Sequence, residues 1–224
     1  MLFGSSVDLG GVVLLVDRDA RAWDGVYSRR VLAWRGSSGF NPRLAGGGRF
    51  LELGCGNGKN LTALVGRGFE LHAVDFSPAA LELCRRNPAL QRESVHYYLA
   101  DCRELPFQDG FFDGVAAFHV LGHLLEAGRL QAACEAVRVL RPRGRLFVRE
   151  FGSRDFRNGN GERLEEGTFR RKNGVFTHYF GEGELRLLLR EAGLKAVSLT
   201  AESWTVCFRG VSYAREELVG EARR

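Results

Sequence analysis

The segment from residue 52 to residue 58 reads ELGCGNG and places three glycines at alternate positions, Gly54, Gly56 and Gly58. An apolar run before it predicts a strand, so the glycines would form a turn that brings backbone N–H groups close to a ligand. A dinucleotide fingerprint needs a further glycine where this chain has Lys59. The motif by itself therefore predicts a loop that binds a cofactor or a nucleotide.

Two acids follow at the ends of the next two apolar runs. Asp75 ends ELHAVD, 21 residues beyond Gly54, where a carboxylate can accept hydrogen bonds from both hydroxyls of a ribose. The same charge would repel a phosphorylated ribose, which argues against NADP. Asp101 ends VHYYLAD, at the third strand tip. Either acid alone could be a solvent-exposed carboxylate at the end of a strand. The two acids in order after the glycine loop indicate a nucleoside site.

A parallel sheet would bring these strand ends together at one edge. From residue 49 onward the chain alternates apolar runs with helical patterns, which predicts such a sheet. The predicted strands are 49–53, 70–75, 95–100, 112–119 and 145–151, and the predicted helices are 59–67, 78–86, 126–140 and 182–192. Residues 141–144 predict a turn. Runs at 194–200 and 204–212 predict an antiparallel hairpin at one sheet edge, with its turn at 201–203.

We expect two further segments. Residues 1–48 predict a helical segment packed on the core, in which Trp23, Tyr27 and Trp34 share one helix face. Packing is preferred there to direct ligand contact. Residues 49–224 predict a single domain with a polar insertion at about 153–180, which has no clear period before residue 175.

Composition limits the class of protein. Hydrophobic residues make up 45% and charged residues 26% of the 224, as in a globular enzyme. The apolar run at 12–16 is too short for a membrane span, and five unpaired, widely spaced cysteines predict neither disulfides nor a zinc knuckle. We expect a cytoplasmic protein that does not bind membranes. The net charge of +5 does not by itself establish a nucleic-acid partner.

The ordered motifs over residues 50–151 resemble those of the class I S-adenosylmethionine (SAM)-dependent methyltransferases. The resemblance implies a Rossmann-like α/β fold with a seven-stranded, mostly parallel sheet, a C-terminal antiparallel hairpin and helices on both faces. It implies SAM as cofactor and S-adenosylhomocysteine as product. The implied cofactor-binding residues are Glu52, Gly54, Cys55, Gly56, Asn57, Gly58, Asp75, Phe76, Asp101, Cys102 and His119. Asp101 would accept from the adenine amino group and the Cys102 N–H would reach a ring nitrogen.

Methyl transfer is an in-line displacement, so a general base is needed only where the acceptor must lose a proton. The candidates at the ends of strands four and five are His119, His123, Arg149 and Glu150. Two roles are equally compatible with His119: a general base near neutral pH, or a side chain that packs in the wall of the pocket. His119 and His123 are four residues apart, but no acid completes a metal motif, and we predict no metal site.

The tail carries a second resemblance, to the tRNA 3-methylcytidine methyltransferases. It rests on VREFGSRD, TFRRKNGVFTHYF and FRGVSYAR and nominates Arg149, Asp155, Arg171, Tyr179 and Phe180 for the acceptor side. His119, Arg149, Glu150 and Tyr179 are thus the candidate catalytic residues. Glu150 stands where that family has aspartate, and the family carries a longer N-terminal RNA-reading region.

The acceptor stays open between three readings. Arginines between 154 and 171 would form a phosphate track for an RNA base, or would be neutralised by the glutamates among them. A small molecule or a protein side chain as methyl acceptor is equally compatible with the short chain. A SAM-binding subunit without catalysis is the third reading, because no acceptor motif such as N-P-P-Y is present.

Overall fold

A computed structural model describes residues 12–29, 39–42, 44 and 46–224, so Trp34 lies outside the described residues. The helices are α1 (Val12–Arg29), α2 (Pro78–Arg85), α3 (Glu126–Val139) and α4 (Glu182–Glu191). The first strands are β1 (Arg49–Leu53), β2 (Glu70–Asp75), β3 (Val95–Leu99), β4 (Phe112–Phe118) and β5 (Leu140–Phe151). They are followed by β6 (Glu162–Glu165), β7 (Thr168–Arg170), β8 (Phe176–His178), β9 (Lys195–Phe208) and β10 (Val211–Arg223). None of the described helices is both long and apolar enough to cross a bilayer.

In the described chain, seven strands form one sheet in the order β3-β2-β1-β4-β5-β10-β9. Strands β1 to β5 pair in parallel, whereas β10 runs antiparallel to both β5 and β9. The class I architecture expected from the sequence is confirmed. The carboxyl ends of the parallel strands meet at one edge, where open α/β sheets bind their ligands.

Hydrophobic side chains cover both faces of this sheet. Alternate residues of β1 separate into two cores, with Leu51 and Leu53 on one face and Phe50 on the other. Helices α3 and α4 supply the first core and α2 the second. Strands buried on both faces must be apolar at nearly every position, which is why their sequences read as continuous hydrophobic runs.

The predicted helix over 59–67 is wrong. A 3-10 helix of four residues, Leu61–Leu64, is all that forms there. Gly66 and Gly68 follow it with φ of +71° and +75°, a left-handed conformation that ends a right-handed helix. The glycine loop is therefore not backed by the dipole of a long helix, and its own geometry must shape the site.

The predicted hairpin exists, but its turn lies at Arg209 and Gly210 rather than at 201–203. Both turn residues have positive φ, 50° and 78°, as a two-residue hairpin turn requires. Residues 201–203 offer no glycine and continue β9. Likewise, the turn predicted at 141–144 is a bulge within β5, where Arg143 has φ of +66°.

The polar insertion is also more ordered than the sequence predicts. Its described residues form a second sheet of three antiparallel strands, in the order β6-β7-β8. The alternation of apolar and polar residues that marks a strand is not visible there. So small a sheet needs no continuous hydrophobic face, and its strands are charged and its turns rich in glycine. This sheet contacts the segment after β4, at the same edge as the glycine loop.

Helix α1 is attached to the amino end of α2. The Asp24 Oδ1 atom accepts from Ser77 Oγ at 2.8 Å and from the Ala79 backbone N–H at 3.1 Å. Ser77 itself caps α2 by accepting from the Ala80 N–H. A carboxylate in this place satisfies an otherwise unpaired helix N–H group and favours the positive end of the helix. The attachment brings Trp23 and Tyr27 over the glycine loop.

Candidate active site

The glycine loop after β1 is a tight turn in which Gly54, Gly56 and Gly58 have φ of +60°, +52° and +74°. The Gly58 N–H donates back to the Cys55 carbonyl at 2.8 Å. A Cβ on any of the three glycines would approach a neighbouring side chain within 2.8 Å, in order Val120, Tyr27 and Cys84. Both the backbone conformation and the space therefore require glycine at these positions.

Asp75 connects the end of β2 to this loop. Its buried carboxylate accepts from the Gly56 N–H at 3.0 Å and from the Ser77 N–H at 2.9 Å. Burial raises the pKa of Asp75 to about 6, against the effect of these hydrogen bonds. The side chain holds the loop in position and lines the cleft.

Asp101 lies beyond the end of β3 and forms an ion pair with its neighbour Arg103. The Arg103 Nε atom is 2.9 Å from Asp101 Oδ1, and the Arg103 backbone N–H donates to the same oxygen at 2.8 Å. Asp101 and Asp75 line one cleft. Other predicted residues that line it are Gly54, Phe76, Cys102 and His119.

The remaining predicted cofactor residues divide into two groups. Cys55, Gly56 and Asn57 line a second cavity that adjoins the first cleft. Gly58 and Glu52 line neither of the two spaces. Glu52 is buried, and its Oε1 atom accepts from Asn60 Nδ2 at 2.6 Å, whereas Oε2 has no hydrogen-bond partner among the described residues. Burial raises the pKa of Glu52 to about 8.

The raised pKa of Glu52 predicts how stability changes with pH. A folded-state pKa of about 8, above the usual 4.5, stabilises the fold at low pH, and this contribution is lost as pH rises toward 8. We expect the melting temperature to fall between pH 5.5 and pH 8.5, and Glu52→Gln to remove at least about 1 kcal/mol of that change, roughly 2–4 °C. Thermal unfolding at both pH values measures it.

The exposed Glu104 provides the control, because Glu104→Gln should leave the pH dependence unchanged. Asp75 and Glu150 also have raised pKa values, about 6 and about 8, so part of the slope should remain in Glu52→Gln. If the melting temperature of Glu52→Gln changed with pH as much as that of the wild type, Glu52 would be ionised in the folded protein.

His119 lies directly after β4, at the wall shared by the two cavities. Its backbone has φ of +55°, and its N–H donates to the Arg149 carbonyl on β5 at 2.7 Å. The imidazole stacks on Phe151 with ring centroids 4.2 Å apart. A non-glycine residue in the left-handed region is often found at a functional site.

Glu217 on β10 faces His119, and no sequence motif predicts this residue as part of the site. Its Oε1 atom is 3.4 Å from His119 Nε2, and its Oε2 atom is 3.6 Å from Arg149 Nε. Burial lowers the pKa of His119, so the ring is neutral near pH 7. A neutral ring beside a carboxylate carries its proton on Nε2, which leaves the lone pair on Nδ1. That atom has no hydrogen-bond partner among the described residues.

Two predicted residues beside His119, Glu150 and His123, bond to backbone groups, and His123 also lines both cavities. Glu150 is buried and accepts from the N–H groups of three successive residues, Val120, Leu121 and Gly122, at 2.8 to 3.2 Å. Burial raises the pKa of Glu150 to about 8. The His123 Nδ1 atom lies 2.7 Å from the Phe176 carbonyl of β8, and burial lowers the pKa of His123 to about 4. The catalytic role predicted for Glu150 does not fit this position.

The acceptor-side residues predicted from the tail are only partly brought together. Arg149 and Arg171 line the second cavity. Tyr179 is buried behind it, where its hydroxyl accepts from Arg171, and it lines a separate groove. Phe180 is part of the core. Tyr179 and Phe180 therefore support the cavity wall from outside the cavity.

Asp155 is a buried anchor for two arginines of the same cavity. Its carboxylate accepts hydrogen bonds from Arg157 Nε at 2.8 Å and from Arg215 Nε at 2.7 Å. Burial by itself would raise the pKa of Asp155, but the hydrogen bonds from Arg157 and Arg215 outweigh it and lower the pKa to about 2. The second cavity thus presents four arginine side chains on fixed supports: Arg149, Arg157, Arg171 and Arg215.

Two other arginines of the insertion, Arg154 and Arg170, are paired with acids. Arg154 lies 2.6 Å from Glu216, and Arg170 lies 3.3 Å from Glu162. Glu165 in turn receives Arg129 of α3 at 3.1 Å. These contacts favour the neutralised loop over a continuous phosphate track.

Helix α1 supplies two cavity residues for which packing was the preferred prediction. Trp23 and Tyr27 stack with centroids 5.8 Å apart and line both the cofactor-side cleft and the second cavity. Burial raises the pKa of Tyr27 well above its usual range. The helix therefore covers the site, and its aromatic spacing was the signal that could have shown it.

Comparison with known proteins gives a family for the central part of the chain. Residues 51–148 match a family model described as a methyltransferase domain. A demethylmenaquinone methyltransferase of Clavibacter sepedonicus is 34% identical over 120 residues, 54% of this chain and 48% of that protein. The tRNA N(3)-methylcytidine methyltransferase Mettl2 of Drosophila melanogaster is 28% identical over 163 residues, 67% of this chain and 50% of that protein. The chain spans about half the length of these relatives.

Further similarities include an O-methyltransferase of Penicillium expansum, cnsE, 30% identical over 163 residues, which cover 70% of this chain and 55% of that protein. Among solved structures, the 1,6-didemethyltoxoflavin-N1-methyltransferase of Burkholderia thailandensis has a TM-score of 0.71 at 21% identity, over 98% of this chain and 93% of that one. A SAM-dependent methyltransferase of Methanosarcina mazei has a TM-score of 0.66 at 24% identity, covering 81% and 94% of the two chains. At these identities the structures establish the fold. Residues 51–148 therefore match a methyltransferase domain, and the chain has the fold of these solved methyltransferase structures.

Proposed function

We propose that this chain transfers a methyl group from SAM to a small molecule that carries an ionisable O–H or N–H group and a negative charge. One observation carries the proposal. His119 and its partner Glu217 lie where the cofactor-side cleft opens into an arginine-lined cavity. A base at the junction of two sites is placed to act on an acceptor held in one while the cofactor occupies the other.

The residues of the cleft fit SAM. The three glycines make a cradle that any Cβ would fill, and Glu52 presents a buried oxygen without a partner close behind it. We propose that Gly54 and Gly56 approach the methionine end, that Asp75 accepts from the ribose, and that Phe76, Asp101 and Cys102 surround the adenine. When bound, SAM supplies an electrophilic methyl group on a sulfonium.

The chain's own residues would then position the acceptor and remove its proton. The imidazole of His119 takes the proton, and the carboxylate of Glu217 stabilises the imidazolium that forms. Glu150 keeps the backbone of 120–122 in place below the histidine. The cover formed by Trp23 and Tyr27 excludes water, which strengthens these electrostatic interactions.

The second cavity decides our choice of acceptor. Four arginines face it, and the two carboxylates that hold them, Asp155 and Glu217, neutralise only part of their charge. Partly desolvated guanidinium groups favour carboxylates, phosphates and enolates. The insertion supplies Asn173, Val175 and Thr177 to the same wall. We further propose that residues 49–224 form one domain, in which the insertion at about 153–180 encloses the acceptor and α1 covers the cofactor.

An RNA base is the second candidate, supported by the similarity to Mettl2 over two thirds of this chain. A polynucleotide would need cationic side chains outside the cavity to contact its backbone. Two arginines of the insertion that lie outside it, Arg154 and Arg170, are paired with Glu216 and Glu162. The small-molecule reading is therefore the stronger of the two.

Incubation with methyl-labelled SAM and separated metabolite, protein and RNA fractions of the source cell tests the proposal. We expect label in the small-molecule fraction, in an acidic compound. Label in RNA would replace our acceptor by the second candidate. Label in none of the fractions, together with SAM binding, would favour a subunit without catalysis.

Two neighbouring arginines sharpen the comparison. Arg171 lines the cavity, whereas Arg170 is paired with Glu162 outside it. For a small anionic acceptor, Arg171→Gln should raise KM about 10-fold or more, the range expected for losing a hydrogen bond to a charged group, and Arg170→Gln should leave KM unchanged. For RNA, both substitutions should weaken binding and reduce its salt dependence.

A further inference from the structure

Three metal-ligating side chains meet at the opposite end of β2 from the cofactor site. Glu70 and His72 are two residues apart on β2 and so lie on one face of the sheet, and His96 is the direct partner of His72 on the edge strand β3. The Glu70 Oε1 atom is 3.1 Å from His72 Nε2 and 3.5 Å from His96 Nε2. One donor atom from each residue lies within 4.8 Å of the others.

These separations are those of a metal coordination shell. Ligand atoms at about 2.0–2.1 Å from a tetrahedral zinc ion are about 3.3 Å apart. Two imidazole nitrogens and one carboxylate oxygen form a donor set for Zn²⁺ with three protein ligands and an open fourth position. Ca²⁺ and Mg²⁺ prefer oxygen ligands and do not fit two imidazoles. We propose that Glu70, His72 and His96 form a binding site for a zinc-type divalent metal ion.

Neighbouring groups fix the orientation of two of these ligands. The His72 Nδ1 atom is 3.2 Å from the Tyr98 hydroxyl, so this ring can donate from Nδ1 and leave Nε2 free to ligate. The Glu70 Oε2 atom is 3.3 Å from Arg49 Nε, which turns Oε1 toward the histidines. Such outer hydrogen bonds set the tautomer and the direction of a ligand.

The site is also accessible. His72 is buried against the aromatic rings of Phe107, Phe111 and Phe112, whereas His96 and Glu70 are nearly half exposed. A metal ion can therefore enter from solvent and keep water as its fourth ligand. Binding would tie β2 to the edge strand β3, whose ends lead to Asp75 and Asp101. It should stabilise that half of the sheet without taking part in methyl transfer.

Calorimetric titration of chelator-treated full-length protein with ZnCl₂ tests the proposal. We expect one zinc ion per chain, and a melting temperature raised by about 5 °C or more at 100 times the dissociation constant. Co²⁺ in place of Zn²⁺ should give the intense visible absorption of tetrahedral coordination. Neither measurement depends on the methyltransferase assay.

Three variants separate this site from adventitious binding. His96→Ala removes an exposed ligand and should weaken zinc binding by more than about 10-fold, and Tyr98→Phe should weaken it by about 10-fold by releasing His72. Glu191→Gln removes an exposed carboxylate at the end of α4 and should change nothing. Circular dichroism checks that His96→Ala folds. Absence of a one-to-one complex, or equal affinity of His96→Ala and wild type, would overturn the proposal.

Discussion

Replacing His119 with asparagine should lower kcat by about 10²- to 10⁴-fold, the usual contribution of general-base catalysis. Asparagine tolerates the left-handed backbone that His119 adopts, with φ of +55°, so the fold should survive. The loss should lie in kcat, because the variant keeps the cofactor cradle and the arginines of the second cavity. Steady-state kinetics with the acceptor found by the labelling experiment measure it. A variant with wild-type kcat would leave His119 as a packing residue beside Phe151.

Glu217 is proposed to position His119, and its test needs a pH profile. The base acts when unprotonated, so activity should fall as pH drops through the pKa of His119, which burial holds below 6.5. Glu217→Gln removes the carboxylate that counters this effect and should move the acid limb to lower pH, with a reduced kcat. Glu221→Gln is the matched control, since Glu221 lies on the same face of β10 and pairs with Arg145. A purely structural role for Glu217 would leave the position of the limb unchanged.

The sequence predicts most of the large sheet because its strands are buried on both faces and bounded by turns. β2 and α2 were placed to within one residue, and the Ser77-Pro78 helix start is confirmed. Failures occur where local geometry outweighs hydrophobic pattern. The hairpin turn depends on positive φ at Arg209 and Gly210, and the helix after the glycine loop is cut short by Gly66 and Gly68.

Motifs at strand ends predict the candidate site, and the structure brings two of those residues, Gly54 and Asp75, to one cleft. Glu217 could not be found in this way, because it meets His119 only through the insertion of β10 between β5 and β9. The proposed metal site could not be predicted from the sequence for the same reason. Glu70, His72 and His96 are brought together by strand pairing and not by a sequence motif. Such residues are identified by which strands pair, and single-sequence patterns do not encode pairing at that distance.

Replacing Gly54 with alanine should weaken SAM binding by about 10- to 100-fold, which corresponds to roughly 1–3 kcal/mol of backbone strain and crowding. Gly54 has φ of +60°, and a Cβ there would lie 2.7 Å from Val120 Cγ2. Valine is stiff about its first side-chain torsion, and the Val120 N–H is held by Glu150 at 3.0 Å, so the clash cannot be relieved on that side. The loop must move instead and give up the shape that receives the cofactor. Calorimetric titration with SAM measures the loss.

Gly66→Ala makes this prediction specific to the site. Gly66 also has positive φ, +71°, but nothing lies within 4 Å of the Cβ that alanine would add. Both variants should therefore lose about 1 kcal/mol or 2–4 °C of thermal stability from the left-handed backbone, and Gly54→Ala should lose more through its contact with Val120. Only Gly54→Ala should lose SAM affinity, because only there does the added carbon fill space beside the cleft. Equal SAM affinity in the two variants would mean that the glycines shape the turn without forming the cofactor cradle.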